Sequence, residues 1–390
     1  MMSIQQARNL VFENQMVISG VKSVSLKNSL NETLAKDVLS EYDHPFFNQS
    51  AVDGYAFKFS EYNQSLEVVS EVAAGGFESP QLKESQCYRI YTGAPVPADA
   101  DTVVMQEKVE LLNGRIQVKD VGIKKGGNIR LKGEQIKSGK VALVKGSKLT
   151  PAAIGYLASI GINEVKVLNP KPISILVSGN EFAKSKDDFS GGKIFESNGI
   201  LLSNYLKELG LESSSINVPD TLEDSVNRIK VAEKESDVII ITGGVSVGDY
   251  DFTRKALEEN GYEIVFHKVA QKPGKPMLFA KKGGKFVFGL PGNPKAVLMC
   301  YLLYVKPFIQ KSLGIKEDLI LDLPLGQEVK IKGGRSLLEP IGISNGFAYI
   351  EKDKGSHMLC ATALTKYVGL FNAEVRTEFK EGDLIPVIIG

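Results

Sequence analysis

Residues 237–251, "DVIIITGGVSVGDYD", place a fully apolar β segment directly before a glycine-rich loop. From residue 171 onward, apolar segments of this kind alternate with helical ones, and one helix is opened by the capping pattern "TLED". Strands that are apolar along their whole length and alternate with helices predict a mostly parallel sheet covered on both faces. Such sheets bind ligands at the carboxyl ends of their strands, so the loops at that edge form the candidate site.

The rest of the chain has a different pattern. Residues 3–40 predict mostly helix, whereas short β segments bounded by glycine and proline dominate from 45 to 144 and again after 318. We therefore predict a multidomain α/β protein with a central αβ domain, a β-rich inserted domain and a C-terminal β domain. The predicted boundaries are 1–44 with 141–170 for a linker or helical domain, 45–140 for the β-rich domain, 171–317 for the α/β domain, and 318–390 for the C-terminal β domain.

Composition and charge exclude several classes of protein. The chain has 390 residues with 47 Lys and Arg against 46 Asp and Glu, so it lacks the overall positive charge typical of nucleic-acid-binding proteins. Its three cysteines are unclustered, which argues against a disulfide framework or a zinc site. No apolar run approaches the roughly 20 residues that span a bilayer, and the N-terminus lacks a signal-peptide pattern. We expect a cytoplasmic protein with no nucleic-acid or membrane partner.

The loop after the apolar strand has the features of an oxyanion site. Gly243 and Gly244 can bring backbone N–H groups close to an anion, as can the backbone around Ser246. A helix beginning near Asp251 adds the positive end of its dipole. The loop matches neither the P-loop nor the dinucleotide-binding pattern. A tight strand-to-helix turn is the alternative interpretation.

Two further loops bring cations and polar groups to the same edge of the sheet. "QKPGKP" carries Lys272 and Lys275 on a turn stiffened by two prolines, which suits a phosphate, although lysines in turns are often plain surface residues. "LPGNP" precedes a long helix, with Asn293 as its N-cap. Glu181 and Asp251, beside these lysines, suit a magnesium ion shared with a pyrophosphate. Each carboxylate taken alone is more typical of an ordinary turn.

Five motifs in this order, "SAVDGYA", "RIYTGAPVPADADTVV", "TGGVSVGDYDF", "KPGKP" and "LPGNP", resemble the molybdopterin molybdenumtransferase family, the MoeA and gephyrin E-domain group. The resemblance covers nearly the whole chain. It implies an elongated four-domain homodimer whose central domain is of the molybdopterin-binding type. It also implies a Mg²⁺-dependent transferase that inserts molybdenum from molybdate into adenylylated molybdopterin and releases AMP. Molybdopterin adenylyltransferase and proteins that deliver the cofactor to molybdoenzymes would be its partners.

The family motifs also imply roles for individual residues. Asp53 and Thr92 match positions that face the site from the partner subunit. The implied catalytic residues are Asp53, Thr92, Glu181 and Asp251, of which Glu181 and Asp251 would hold the metal; the implied substrate-binding residues are Gly243, Gly244, Ser246, Lys272, Lys275 and Asn293. The alternatives are a catalytically weak cofactor-binding or scaffold relative and a related molybdopterin adenylyltransferase.

The chain departs from the family pattern at several positions. Asn180 and Gln135 replace family aspartates, Ala296 stands where a serine follows "PGNP", and "LLEP" lacks the arginine expected after "GGRS". The closing family pattern has become "CATALTKYVGL". Without that serine and arginine, molybdate would rely on Lys272, Lys275 and backbone donors around Ser246. Arg335, Ser356 and His357 are the candidate replacements.

Overall fold

The structure, a computed structural model, describes residues 1–75, 81–183, 192–245, 252–315, 320–351, 355 and 357–390. The chain divides into two compact units. The first unit comprises Met1–Lys36, Gly146–Pro151 and Lys166–Gly390, and the second comprises Asp37–Lys145 and Ala152–Val165. Within the described ranges, every helix is too short or too polar to cross a bilayer.

A six-stranded mixed sheet forms the core of the second unit. The strands, in order across the sheet, are Thr102–Met105, Gly54–Phe57, Gln86–Ile90, Ser65–Val72, Arg115–Val118 and Val109–Leu112. Alternate side chains pack on opposite faces, so that Tyr88 belongs to one hydrophobic cluster and Cys87 to the other. The smaller elements are the strand pairs Gln49–Ser50 with Ile129–Arg130 and Val38–Leu39 with Val141–Leu143, and the 3-10 turns Phe59–Glu61 and Gln106–Lys108.

The first unit is built on a second six-stranded sheet, called the central sheet here. Its strands, in order, are Ser213–Val218, Ile173–Ser178, Val238–Thr242, Lys285–Leu290, Leu278–Lys282 and Glu263–His267. The first four strands run parallel and the last two join antiparallel. The predicted fold class, with a central αβ domain and a mostly parallel sheet, is confirmed.

Helices cover both faces of the central sheet because its strands are apolar on both sides. Along the strand Val238–Thr242, Val238 and Ile240 pack into one core, whereas Ile239 and Ile241 pack into the other. The second core includes the helices Leu222–Glu235 and Phe252–Glu259. The first core includes Ile4–Phe12, Asn198–Glu208 and a continuous helical stretch made of Pro294–Cys300, the π-helical Tyr301–Val305 and Lys306–Leu313.

The prediction of mostly helix over residues 3–40 is wrong. The α-helix of this region is Ile4–Phe12, and a strand, Val21–Ser25, and a 3-10 turn, Leu26–Asn28, follow it. "VKSVS" alternates in burial with a period of two residues, and that period favours a strand. The later helix Pro151–Ser159 begins at the predicted proline, and the strand Glu164–Leu168 follows it.

A third sheet, called the C-terminal sheet here, completes the first unit and confirms the predicted C-terminal β structure. Its strands, in order, are Gln271–Lys272, Ser336–Ser344, Tyr367–Phe371, Leu384–Ile389 and Ile320–Pro324, with Phe347–Ile350 paired to Ser336–Ser344. The strand Val329–Lys330 pairs separately with Glu378–Phe379, and Thr362–Leu364 is a 3-10 turn. Gln271–Lys272 runs parallel to Ser336 and Leu337. The loop that carries Lys272 and Lys275, called the lysine loop here, is therefore joined to the C-terminal sheet.

Candidate functional site

Loops of the central sheet and residues of the C-terminal sheet line an open cavity of about 660 Å³. All four parallel strands contribute residues at or after their carboxyl ends, as expected for a sheet of this kind. Glu339 lies on the strand Ser336–Ser344 of the C-terminal sheet, and Arg335 directly precedes that strand. Six of the implied site residues line the cavity, namely Glu181, Gly243, Gly244, Lys272, Lys275 and Asn293, as does the candidate replacement Arg335.

The two glycines that follow the strand Val238–Thr242 allow the backbone to approach a neighbouring strand and a neighbouring helix closely. Gly243 has φ +80°, and a Cβ there would lie 2.5 Å from the carbonyl oxygen of Ser178. Gly244 has φ +64°, and its Cβ would lie 2.8 Å from Thr253 Oγ1. The N–H of Gly243 donates to the carbonyl oxygen of Leu290 at 3.2 Å, so this amide serves the sheet edge in the present conformation. Both positions require glycine for backbone geometry.

A second carboxylate that the sequence analysis missed, Asp220, lines the same cavity as Glu181. Asp220 follows the strand Ser213–Val218, and its Oδ1 accepts a hydrogen bond of 2.6 Å from Ser178 Oγ. The signal was present, because Asp220 follows a strand at the same edge. The stretch was interpreted only as a helix start, a role that Thr221 fulfils by accepting from the N–H of Asp224.

A buried polar network holds the lysine loop in place. Gln271 is fully buried; its Oε1 accepts from Tyr304 Oη at 2.5 Å, and its Nε2 donates to the carbonyl oxygen of Pro273 at 3.3 Å. Its Nε2 also lies 3.4 Å from Cys300 Sγ. Burial raises the pKa of the Cys300 thiol to about 12 and places the pKa of Tyr304 well above its usual range. The network therefore holds the loop with neutral groups.

The lysine loop also requires glycine at position 274. Gly274 has φ +94°, and a Cβ there would lie 2.5 Å from Gln271 Nε2 and 2.6 Å from Cys300 Sγ. On either side of it, Lys272 is exposed and Lys275 is half-buried, and both line the cavity. The loop thus presents two ammonium groups from a backbone whose geometry is determined by packing.

A buried ion pair completes the charged lining. Lys295 Nζ lies 2.5 Å from Glu339 Oε2, and the lysine side chain is only 4% exposed. The described lining contains four cationic side chains, Lys272, Lys275, Lys295 and Arg335, and three carboxylates, Glu181, Asp220 and Glu339. Such a lining suits an anionic ligand that also carries a divalent metal ion.

Asn293 begins the helix that follows the loop LPGNP, as predicted. It is the N-cap residue and Pro294 occupies the first turn, but the Asn293 side chain makes no capping hydrogen bond. Asn293 lines the cavity, as do Lys295 and Glu339.

In the second unit, Asp53 and Thr92 contact each other. The backbone N–H and the Oγ1 hydroxyl of Thr92 both donate to Asp53 Oδ1, each at 2.8 Å. These hydrogen bonds, with a smaller contribution from the charge of Arg89, lower the pKa of Asp53. The guanidinium of Arg89 stacks between the rings of Tyr55 and Tyr91, at 4.9 and 5.2 Å from their centroids. Asp53 is therefore held as a carboxylate.

Ser246, Asp251 and Ser356 lie outside the described residues. His357 is exposed, whereas Arg335 lines the cavity. Over the described ranges, no three His, Cys, Asp or Glu side chains form a group that could hold a metal ion. Glu181 and Asp220 both line the cavity, and one or two protein carboxylates together with phosphate oxygens are the usual donor set of magnesium.

Comparisons with known proteins agree with this geometry. Residues 2–161 match the model of the MoeA N-terminal region (domain I and II), and residues 174–311 match that of a probable molybdopterin binding domain. The chain is 34% identical over 323 residues to the molybdopterin molybdenumtransferase of Staphylococcus epidermidis, covering 80% of this chain and 76% of the relative. It is 35% identical over 303 residues to that of Staphylococcus aureus strain Mu50, covering 76% and 72%.

Solved structures give the same result for the whole fold. The crystal structure of the molybdopterin biosynthesis moeA protein from Pyrococcus horikoshii OT3 superposes with a TM-score of 0.84 at 26% identity, and the match covers 100% of both chains. A second structure of the moeA protein from Pyrococcus horikosii gives a TM-score of 0.77 at 27% identity, covering 99% of this chain and 98% of the other.

Proposed function

Because this chain belongs to the molybdopterin molybdenumtransferase family, we propose that its cavity inserts molybdenum from molybdate into adenylylated molybdopterin and releases AMP. The family acts in molybdenum cofactor biosynthesis, and the chain is a transferase of that class. One observation carries the assignment to this cavity. Four cations and three carboxylates meet at the carboxyl edge of the parallel sheet, largely within the part that matches the molybdopterin-binding model.

Lys272 and Lys275 bind the phosphate or pyrophosphate group of the substrate in this proposal. Hydrogen bonds from ammonium groups to phosphate oxygens are short and about twice as strong as neutral ones. The buried network under the loop holds both lysines in place before the substrate arrives. A loop that is already ordered loses less conformational entropy on binding.

Glu181 and Asp220 would hold a magnesium ion, together with Asp251, the further carboxylate that the family resemblance implies. Such an ion supplies positive charge to phosphate oxygens and so favours departure of AMP. Asp220 keeps its orientation through the hydrogen bond from Ser178 Oγ. Glu181 is exposed, lines the cavity and lies in the loop that follows the strand Ile173–Ser178.

Asp53 and Thr92 act across a subunit boundary in the proposed homodimer. The two hydrogen bonds from Thr92 orient the Asp53 carboxylate and lower its pKa, which suits a charged group that orients a water molecule or a substrate donor. Mixing an Asp53→Ala chain with a Glu181→Gln chain tests this sharing. Once subunit exchange is shown, recovered AMP release supports a shared site, since each homodimer has two damaged sites and the heterodimer has one intact site. No recovery contradicts it.

The proposed setting is a cytoplasmic homodimer that receives its substrate from molybdopterin adenylyltransferase and passes the product to proteins that deliver it to molybdoenzymes. The free thiols of Cys87, Cys300 and Cys360 agree with a reducing compartment. Size-exclusion chromatography with light scattering checks the dimer, and a pull-down with the purified adenylyltransferase checks the partner.

The decisive experiment measures AMP release by the purified protein supplied with adenylylated molybdopterin, Mg²⁺ and molybdate. We expect release that depends on both the metal ion and molybdate. Binding of the pterin nucleotide without molybdate-dependent release would support the scaffold alternative, which is motivated by the C-terminal losses, namely the arginine absent after GGRS and the altered closing pattern CATALTKYVGL. Omitting Mg²⁺ is the matched control for the role of the carboxylates.

A further inference from the structure

A buried asparagine links the helix Asn198–Glu208 to the loop LPGNP, and it lies outside all of the sequence motifs. Asn198 is the first residue of that helix and is only 6% exposed. Its Nδ2 donates a hydrogen bond of 2.8 Å to the carbonyl oxygen of Gly292, a residue 94 positions further along the chain. Gly292 lines the cavity. The contact therefore joins a loop of the candidate site to a helix that packs in the core of the first unit.

Helix capping does not account for this asparagine. An asparagine at the start of a helix usually accepts a hydrogen bond from an N–H group of the first turn. Here Ser197 is the N-cap, and Glu196 Oε1 accepts from the N–H of Gly199 at 2.7 Å. Over the described ranges, Asn198 Oδ1 is buried and accepts no hydrogen bond, and a buried acceptor without a donor costs folding free energy. The contact with Gly292 explains why an amide suits this position better than an aliphatic side chain.

The loop that Asn198 holds lies against the glycine-rich loop of the cavity. A Cβ at Gly292 would lie 3.8 Å from the Cα of Gly243. The N–H of Gly243 donates to the carbonyl oxygen of Leu290 at 3.2 Å. A displacement of Gly292 would therefore also disturb the loop that follows the strand Val238–Thr242. Because both loops line the cavity, the hydrogen bond from Asn198 acts on two parts of the site.

We propose that Asn198 is a positioning residue that holds the loop LPGNP in the conformation that binds the substrate. The identity of that substrate, adenylylated molybdopterin, rests on the proposed function. Asn198 lies outside the described cavity lining, so it acts on the substrate through Gly292 and Asn293. A loop that is ordered in advance loses less conformational entropy on binding. The order of the loop and the affinity for the substrate should therefore change together.

The test compares loop order, substrate affinity and stability in the full-length protein. Hydrogen–deuterium exchange without ligand measures loop order in the peptides that cover Gly243 and Gly292, and calorimetry measures binding of adenylylated molybdopterin. Asn198→Leu keeps the approximate size of the side chain and removes the donor. We expect exchange in both peptides to be faster, and substrate binding to be weaker, by about threefold to tenfold, the loss of one neutral hydrogen bond. The melting temperature should change little, because the buried Oδ1 is removed too and Gly292 is exposed to water.

Asn260→Leu is the matched control. Asn260 is also 6% exposed, and its Nδ2 donates to the carbonyl oxygens of Val226 and Ala256 at 3.2 and 2.8 Å, outside the described cavity lining. This substitution should lower the melting temperature and leave both the loop exchange and the substrate affinity unchanged. Asn198→Asp keeps the shape of the side chain and loses the donor, so it should behave like Asn198→Leu and replaces it if the leucine variant does not fold.

The difference between the two leucine variants separates a positioning role from a structural one. If Asn198→Leu is destabilised like Asn260→Leu and keeps the loop exchange and substrate affinity of the parent, the inference is overturned. Faster loop exchange with unchanged substrate affinity also overturns it. Failure of the proposed function looks different, namely faster exchange and weaker nucleotide binding in Asn198→Leu with no AMP release by the parent. If the parent binds no pterin nucleotide, the proposed function fails, whereas unchanged loop exchange in Asn198→Leu overturns the inference in either case.

Discussion

Thr92 gives both of its hydrogen-bond donors to the same carboxylate oxygen of Asp53, with its N–H and its Oγ1 each 2.8 Å from Asp53 Oδ1. These bonds lower the pKa of Asp53 below its usual value of 3.8. A carboxyl whose pKa is lowered by folding stabilises the protein above its unfolded pKa, and this contribution is lost as the pH falls through the folded pKa. Near neutral pH, the hydrogen bonds therefore act on orientation and not on ionisation.

Thr92→Val should raise the pKa of Asp53 towards its usual value, because one of the two donors is lost. A carboxyl-carbon NMR titration between pH 2 and roughly pH 6 measures this change around the reference value for Asp. At neutral pH we expect slower AMP release, since the carboxylate stays ionised but is less well oriented. Thr92→Ser keeps both donors and is the matched control. Equal AMP release by the valine variant and the parent would remove Thr92 from the proposed site.

Lys272→Ala and Lys275→Ala should each weaken binding of adenylylated molybdopterin by about 1.5 to 3 kcal/mol, the loss of one charge-assisted hydrogen bond. Both variants should unfold near the parent's melting temperature, because neither side chain is fully buried. Titration calorimetry measures the affinity. Lys281→Ala is the control: that lysine pairs with Glu263 at 3.6 Å in the central sheet and does not line the cavity. Unchanged affinity in both loop variants would make these lysines ordinary surface charges.

The three cysteines should differ sharply in reactivity. Burial raises the pKa of Cys87 and Cys300 to about 12, so at neutral pH almost none of either is the reactive thiolate, whereas Cys360 is exposed. A disulfide reagent should therefore label one thiol rapidly in the folded protein and all three in denaturant. Cys360→Ser should abolish the rapid phase. Rapid labelling of two or more thiols in the folded protein would contradict the buried positions of Cys87 and Cys300.

The sequence predicts the loops of the site better than it predicts the contacts that hold these loops in place. Parallel strands bring their carboxyl ends to one edge, so strand order along the chain is enough to bring Glu181, Gly243 and Asn293 together. Pairing between distant segments is different, because no local pattern records that Gln271 lies beside Ser336. The attachment of the lysine loop to the C-terminal sheet could therefore not be predicted.

The sequence does not single out the cavity residues Asp220 and Lys295, because the local pattern around each of them has another explanation. Asp220 precedes a strong helix start at Thr221, and that signal accounts for a polar residue there without any ligand. Lys295 lies beside Ala296 in a motif that was compared with the family serine. Neither the burial of Lys295 nor its ion pair with Glu339, 44 residues further along the chain, can be read from the sequence. Partners this distant in sequence become visible only in the folded structure.

Tyr304→Phe tests whether the buried network positions the lysine loop. The substitution removes the hydroxyl that donates to Gln271 Oε1 at 2.5 Å and leaves a fully buried acceptor without that donor, which costs about 1 to 3 kcal/mol of folding free energy. Gln271 also holds the carbonyl oxygen of Pro273 between the two lysines, so we expect weaker binding of adenylylated molybdopterin along with the lower stability. Chemical denaturation and calorimetry measure the two effects. Tyr262→Phe loses a hydrogen bond of 3.3 Å to Glu233 away from the cavity and should affect stability alone. If Tyr304→Phe is destabilised yet binds the substrate like the parent, the network supports the fold without positioning Lys272 and Lys275.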